Sequence, residues 1–337
     1  MKAVGFKKSL SIEEQNSFIE FETEIPSPGE QDLLVKIEAV SVNPVDYKVR
    51  KGAAKDKELD SPKIIGWDAS GVVEAVGAKV KNFKKGDEVF YAGVINRPGC
   101  NAEYQVVDER SVGHKPQNLS WEEAAAMPLT SLTAWECIFE RLNIAENSGA
   151  GKTVLVIGGA GGVGSIGIQL LKKLTQMKVI ATASREETEK WCREKGADVV
   201  VNHKNLQKEM EKRGFEEVDY ILNFSNTELH WNAMAELIKP QGHICSIVET
   251  SEPVDLNKLK NKSVAFHWEL MFTRPTLQTQ DMQQQHEILE RISSLMEEGI
   301  LESTLNGTFP GLSAATFKEV HKLQESGKSI GKNVIKY

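Results

Sequence analysis

The sequence predicts a two-domain α/β protein, with a β-rich first domain joined to a doubly wound parallel sheet. Three observations predict it. The chain has 337 residues, more than a single hydrophobic core usually organises, so two domains are expected. Residues 1–125 alternate apolar and polar positions between turn clusters, the period-two signature of strands. From Thr153 onward, short apolar runs alternate with helical stretches, the rhythm of parallel strands with right-handed crossovers.

Taken in order, the period-two segments are Lys2–Phe6, Phe18–Glu24, Asp32–Val42, Gly71–Val76, Glu88–Tyr91 and Ala102–Val107. Turn residues separate them at Pro26–Gly29, Gly77-Ala78 and Lys85–Asp87. Ser120 followed by Glu123 is a capping box that opens a helix over SWEEAAA. The alternating units then run TVLVIGG, SIGIQLLKKL, KVIATAS, EETEKWCREKG, DVVVNH, DYILNFS, HWNAMAELIK, HICSIV and SVAFHWELMF. After Phe272 the rhythm stops. An irregular polar loop over Thr273–Gln285 leads to an amphipathic helix (HEILERISSLMEEG), a strand near Thr304–Phe309 and a helix over Ala314–Glu325. That tail is too short to form a domain alone. Residues 1–125 and 273–337 are therefore assigned to the first domain and residues 126–272 to the second.

Composition narrows the class. Hydrophobic residues make up 40% and charged residues 26%, the balance of an ordinary globular chain. A formal net charge of −7 gives no support for a nucleic-acid partner, which needs a concentrated basic face. No apolar run approaches the ~20 residues that cross a bilayer, and the first residues lack the apolar core of a secretory leader. Cys100, Cys137, Cys192 and Cys245 are scattered, with no CxxC pair, as in a reduced, cytoplasmic protein.

The sharpest chemical signal is VLVIGGAGGVGSIGIQL, where a buried strand meets Gly159-Ala160-Gly161-Gly162-Val163-Gly164 and a helix follows at once. GxGxxG alone is a weak match; between strand and helix it is the fingerprint of a dinucleotide site. Backbone can approach a pyrophosphate only where side chains are absent, and the helix start presents bare N–H groups to it. In NAD-binding chains an acidic residue ends the next strand, ~20 residues on, and binds the ribose 2′-OH. Here Ser184-Arg185 holds that place. A guanidinium attracts a 2′-phosphate that a carboxylate would repel, so NADP(H) is the expected cofactor. The alternative is that Arg185 caps the next helix and faces water.

Taken together, Val42-Asn43-Pro44-Val45-Asp46, Gly66-Trp67-Asp68-Ala69-Ser70-Gly71-Val72-Val73, Pro128–Trp135, the glycine loop and Gly327–Val334 resemble the medium-chain dehydrogenase/reductase superfamily. Within it the chain is similar to the quinone oxidoreductase, or zinc-type alcohol dehydrogenase-like, branch. The resemblance implies a GroES-like β-rich catalytic domain, a Rossmann cofactor domain and an active site where they meet. It also implies a homodimer built on the last Rossmann strand, Ser263–Met271. Zinc alcohol dehydrogenases carry a Cys, a His and a Cys or Asp at positions that fall here on Asn43, Trp67 and Leu129, with Asp68 at the GHE glutamate. Neither Trp nor Leu ligates zinc, so no metal is expected.

Without a Lewis acid, the acceptor must itself delocalise the charge that hydride brings, as a quinone or α,β-unsaturated carbonyl does. The expected function is thus NADPH-dependent reduction of such a compound. A reductase of simple aldehydes or ketones and a non-catalytic NADPH-binding protein are the alternatives. The resemblance places Asn43, Asp46, Tyr47 and Lys48 on the substrate side, although Asn43 and Asp46 read equally as a turn residue and a helix cap. It puts Thr130 at the nicotinamide and Asn333 at the family's terminal cofactor contact. Ends of parallel strands supply the rest of the groove: Asn202, His203, Phe224, Ser225, Val248 and Glu249.

Overall fold

The structure, a computed structural model, describes all 337 residues, Met1–Tyr337. The chain divides into two compact units, Met1–Leu129 with Phe272–Tyr337, and Thr130–Met271. The first break thus falls later than the sequence pattern put it. The helix Trp121–Ala125 packs on the strands Asp32–Ser41 and Ala69–Val76, and the N–H of Leu129 donates to Asp68, which holds residues 126–129 in the first unit.

The second unit is a Rossmann-type α/β layer. Its six parallel strands lie in the spatial order Val199–Val201, Lys178–Thr182, Thr153–Ile157, Val218–Asn223, Ile238–Ser246, Ala265–Trp268. Apolar runs such as TVLVI form strands covered on both faces, and helices over Gly162–Leu174, Glu186–Glu194, Leu206–Lys212 and Thr227–Leu237 connect them. Leu155, Ile180, Ile221 and Ile244 from neighbouring strands meet Met210, Trp231 and Met234 from the helices in one core. Strand order reverses between Thr153–Ile157 and Val218–Asn223, and the crevice at that switch point is where open α/β sheets bind ligands.

The first unit is the GroES-like β domain. Its seven-stranded sheet is organised by Asp32–Ser41, which pairs antiparallel with Ala69–Val76, Tyr104–Asp108 and the last strand, Lys332–Lys336. A separate three-stranded sheet joins Lys2–Phe6, Ile19–Glu22 and Lys63–Ile64. The segment expected to be an irregular loop over Thr273–Gln285 departs from that expectation. Thr273–Leu277 forms a short α-helix, closed by Gln278 in the left-handed region at φ 51°. No helix of the chain is long and apolar enough to cross a membrane.

Candidate active site

In the Rossmann unit the strand Thr153–Ile157 ends at Gly158, and the helix Gly162–Leu174 begins with Gly161 at its N-cap and no side-chain cap. Two of the loop glycines do different work. A Cβ on Gly164 would fall 2.3 Å from the Gly158 carbonyl oxygen, so this glycine lets helix and strand approach. A Cβ on Gly161 would meet nothing nearer than that oxygen at 3.5 Å. Gly161 faces open space, with the uncapped amides of the helix start beside it. Gly159 and Ala160 are buried beneath, and Gly162 and Val163 are half-buried on the rim.

Arg185 is the N-cap of the helix Glu186–Glu194, where its N–H donates to Thr188 Oγ1 at 3.1 Å. Its guanidinium pairs with Glu187 at 3.0 Å and is about a third exposed, and Ser184 is exposed beside it. The capping role expected as an alternative is therefore present; it leaves the guanidinium at the surface. Asn202 caps the short 3₁₀ turn His203–Asn205 by accepting from the Lys204 N–H. The His203 ring meets His230 edge-on at 6.1 Å, and an open depression of about 510 Å³ lies against both.

A buried network that sequence reasoning missed shapes the ends of the next two strands. Asn223 Nδ2 donates to Thr227 Oγ1 and to Ser246 Oγ, both at 3.0 Å, and Thr227 Oγ1 donates to the Val248 carbonyl at 2.5 Å. The Asn223 Oδ1 accepts from the Ser225 N–H at 3.3 Å. Ser225 and Val248, both half-buried, are thus held by the side chains of Asn223 and Thr227; Phe224 is half-buried with its N–H on the Ile157 carbonyl, and Glu249 is exposed. Thr130 is buried on the helix Pro128–Trp135, which runs directly into a π-helical turn, Glu136–Arg141.

In the β unit the Val42–Asp46 motif forms a capping box. Asn43 is the N-cap of the helix Pro44–Gly52, and its own N–H donates to Asp46 Oδ2 at 2.7 Å. The Asn43 amide is consumed at both ends. Its Nδ2 donates to the Ser41 carbonyl and to Asp68 Oδ2, and its Oδ1 accepts from the Lys332 ammonium. Lys332 also donates to Asp68 Oδ2 at 2.8 Å, and the Leu129 N–H reaches Asp68 Oδ1 at 3.1 Å. Burial raises the carboxyl pKa of Asp68, and Lys332 and these N–H donors oppose the rise. Burial raises that of Asp46 to about 7, against the pull of the Asn43 N–H; its Oδ1 has no partner. Tyr47 and Lys48 lie on the outer face of the same helix, with the Lys51 ammonium 5.1 Å above the Tyr47 ring. Asn333 is buried in the β unit, where its carbonyl accepts from Val42 N–H and Ser41 Oγ, each at 3.2 Å.

The residues at the zinc-ligand positions do not fit a zinc ion. Trp67 is fully buried, its indole N–H spent on the Val94 carbonyl at 3.0 Å and its ring edge-on to Phe272 at 6.2 Å. Leu129 offers only an alkyl group, and the Asn43 oxygen already holds an ammonium.

Comparison with known proteins agrees with this layout. Residues 29–117 match the alcohol dehydrogenase GroES-like domain family and residues 162–293 the zinc-binding dehydrogenase family. The chain is 46% identical over 338 residues to a zinc-type alcohol dehydrogenase-like protein of Staphylococcus aureus, covering 99% of each. It is 40% identical over 187 residues to an Arabidopsis thaliana NADPH-dependent alkenal/one oxidoreductase, covering 53% of this chain and 47% of that one. Among solved structures, a Rhizobium etli protein named as a candidate zinc-dependent alcohol dehydrogenase superposes with TM-score 0.94 at 46% identity, over 100% of this chain and 98% of that one. A Coxiella burnetii quinone oxidoreductase superposes with TM-score 0.82 at 27% identity, over 100% and 99%.

Proposed function

Because this chain belongs to the medium-chain dehydrogenase/reductase superfamily, in its quinone oxidoreductase and zinc-type alcohol dehydrogenase-like branch, we propose that it reduces a quinone or an α,β-unsaturated carbonyl with NADPH and without zinc. The observation that carries this reading is the pairing of two sites. One is an open glycine cradle followed by a cation where NAD-binding chains place an acid. The other is a metal position filled by indole, alkyl and an amide already bonded to a lysine.

When bound, the dinucleotide supplies a hydride from its reduced nicotinamide. Gly159–Gly164 would hold its pyrophosphate on the helix N-terminus, where backbone N–H groups and the helix dipole meet negative charge. Arg185, whose present pair with Glu187 is weak and solvent-exposed, would hold the 2′-phosphate. In the Rossmann unit Ser184, Asn202 and His203 would line the adenosine end, and Phe224, Ser225, Val248, Glu249 and Thr130 the rest of the groove; in the β unit Asn333 would be a cofactor contact. Asn43, Asp46, Tyr47 and Lys48 shape the acceptor side. The electron pair arriving at the β-carbon of an enone, or at a quinone, spreads onto the carbonyl oxygen, so no Lewis acid is required.

The alcohol dehydrogenase-like names of the full-length relatives favour a second reading, reduction of simple aldehydes or ketones. Calorimetric titration with NADPH and NADH, then NADPH oxidation against a quinone, an enone and a simple aldehyde, separates the two. Absence of binding by either nucleotide would overturn both. A homodimer is part of the proposal. The edge strand Ala265–Trp268 exposes half of Trp268, with Leu270 exposed just beyond, as a second copy pairing along that edge would require. The buried cysteines, none in a disulfide, suit a reducing, cytoplasmic setting.

A further inference from the structure

We propose that Lys332 is a positioning residue of the acceptor side, its ammonium locking the Asn43 amide and the Asp68 carboxylate into a single arrangement that fixes the start of the helix Pro44–Gly52. This deepens the reading of the Asn43–Lys48 segment as the acceptor side of a zinc-free hydride-transfer enzyme, and it rests on that reading.

The geometry leaves the amide one orientation. Asn43 Oδ1 takes the Lys332 ammonium while Nδ2 serves Ser41 and Asp68, so a flipped amide would set its NH₂ against the ammonium and its oxygen against a carboxylate. The Lys332 side chain is 3% exposed and that of Asp68 is 0%, so water cannot replace either partner. Lys332 is itself held by a backbone bond to the Thr304 carbonyl at 2.8 Å, and Val42 N–H and Ser41 Oγ bond the carbonyl of the residue after it. The last strand therefore grips the backbone beside Asn43, and its lysine grips the side chain. From Asn43 the constraint passes through the 2.7 Å bond to Asp46 Oδ2 into the first turn of the helix.

The charges point the same way. Asp46 and Asp68 are both buried beside one ammonium. Asp68 has three donors directed at it and suits the ionised form; Asp46, with Oδ1 unpartnered, suits the protonated one. The cluster is then neutral. Loss of the ammonium leaves Asp68 to take up a proton or to leave the site, and it frees the Asn43 amide to turn.

The test compares Lys332→Met, Lys332→Arg and Lys332→Met/Asp68→Asn with the parent, measuring NADPH affinity by calorimetry and kcat and KM on the best quinone or enone. Lys332→Met should lower kcat about tenfold or more, the loss of one charged partner at a positioning contact, with NADPH affinity unchanged. The double variant, in which the buried carboxylate is also gone, should recover part of that loss, and Lys332→Arg should recover most of it. A Lys332→Met enzyme with parental kcat, or a double variant no better than the single one, would overturn the proposal. A parent that binds NADPH yet reduces no acceptor would refute the functional reading instead, and melting temperature against pH then decides. Without the ammonium, burial raises the folded-state pKa of Asp68 above the unfolded value with less to oppose it. Lys332→Met should therefore lose melting temperature as pH rises, while the double variant does not. Parallel pH curves for the two would end the proposal.

Discussion

Acid should unfold the β unit through one imidazole. His321, on the helix Ala314–Glu325, is 0% exposed, and neither ring nitrogen has a hydrogen-bond partner. Its ring stands edge-on to Phe18 at 4.7 Å, and the buried Arg50 guanidinium lies over the same phenyl ring at 5.8 Å. Burial above all, with Arg50 adding to it, lowers the imidazole pKa from 6.5 to about 3. The folded value lies below the unfolded one, so the unfolded chain takes the proton first. Stability is therefore complete above the unfolded pKa, falls as pH drops through it, and levels off only near the folded pKa. Each pKa unit is worth about 1.4 kcal/mol, so descending two units below the unfolded value removes about 2.7 kcal/mol. His321→Leu deletes the titration and both unpartnered nitrogens at similar volume. It should hold or raise stability at neutral pH and abolish this part of the acid loss. Urea unfolding of parent and variant at neutral pH and at about pH 4.5 measures it, because carboxylates common to both chains cancel in the difference. Equal losses in the two proteins would show that His321 is not the group responsible.

Three other outcomes are expected. Gly161→Ala should leave the melting temperature nearly unchanged and weaken NADPH about tenfold or more, whereas Gly164→Ala should destabilise the Rossmann unit, because its Cβ would strike the Gly158 carbonyl; calorimetry and thermal melts separate the two. Arg185→Ala should cut the NADPH-over-NADH ratio of kcat/KM at least about tenfold, the worth of a charge-assisted bidentate contact, and an unaltered ratio would leave the guanidinium a cap alone. Asp46, whose pKa is raised to about 7, contributes stability that is complete at low pH and lost as pH rises through that value. Asp46→Asn should therefore flatten the pH–stability curve near neutrality, and a curve as steep as the parent's would contradict this.

The local signals in the sequence carried far. The capping box at Ser120 and Glu123 is formed, with the Glu123 N–H on Ser120 Oγ at 3.2 Å. The alternation of apolar runs gave the six-stranded parallel layer because period and length together distinguish strand from helix. Asn43 and Asp46 form the helix cap, one of the two readings offered for them, and a cap is compatible with the proposed place beside the acceptor. Lys332 was invisible by contrast. Its partners Asp68 and Asn43 lie 264 and 289 residues away, and no local pattern encodes so distant an ion pair. The bond of Asn223 to Ser246 was hidden for the same reason, because those two residues meet only once adjacent strands are in register. The short helix Thr273–Leu277 escaped because Pro275 sits within it, and a proline in so brief a segment reads as a break.

Placing Lys332 on the final strand has a consequence for how the protein is made. A ribosome releases Asp68 and Asn43 before their cation, with the contiguous segment Thr130–Met271 made in between. Until then the Asp68 carboxylate lacks the cation that it holds in the folded β unit, while the segment of the second unit is already complete. The ion pair that closes the amino-terminal strands thus joins segments made before and after the whole second unit.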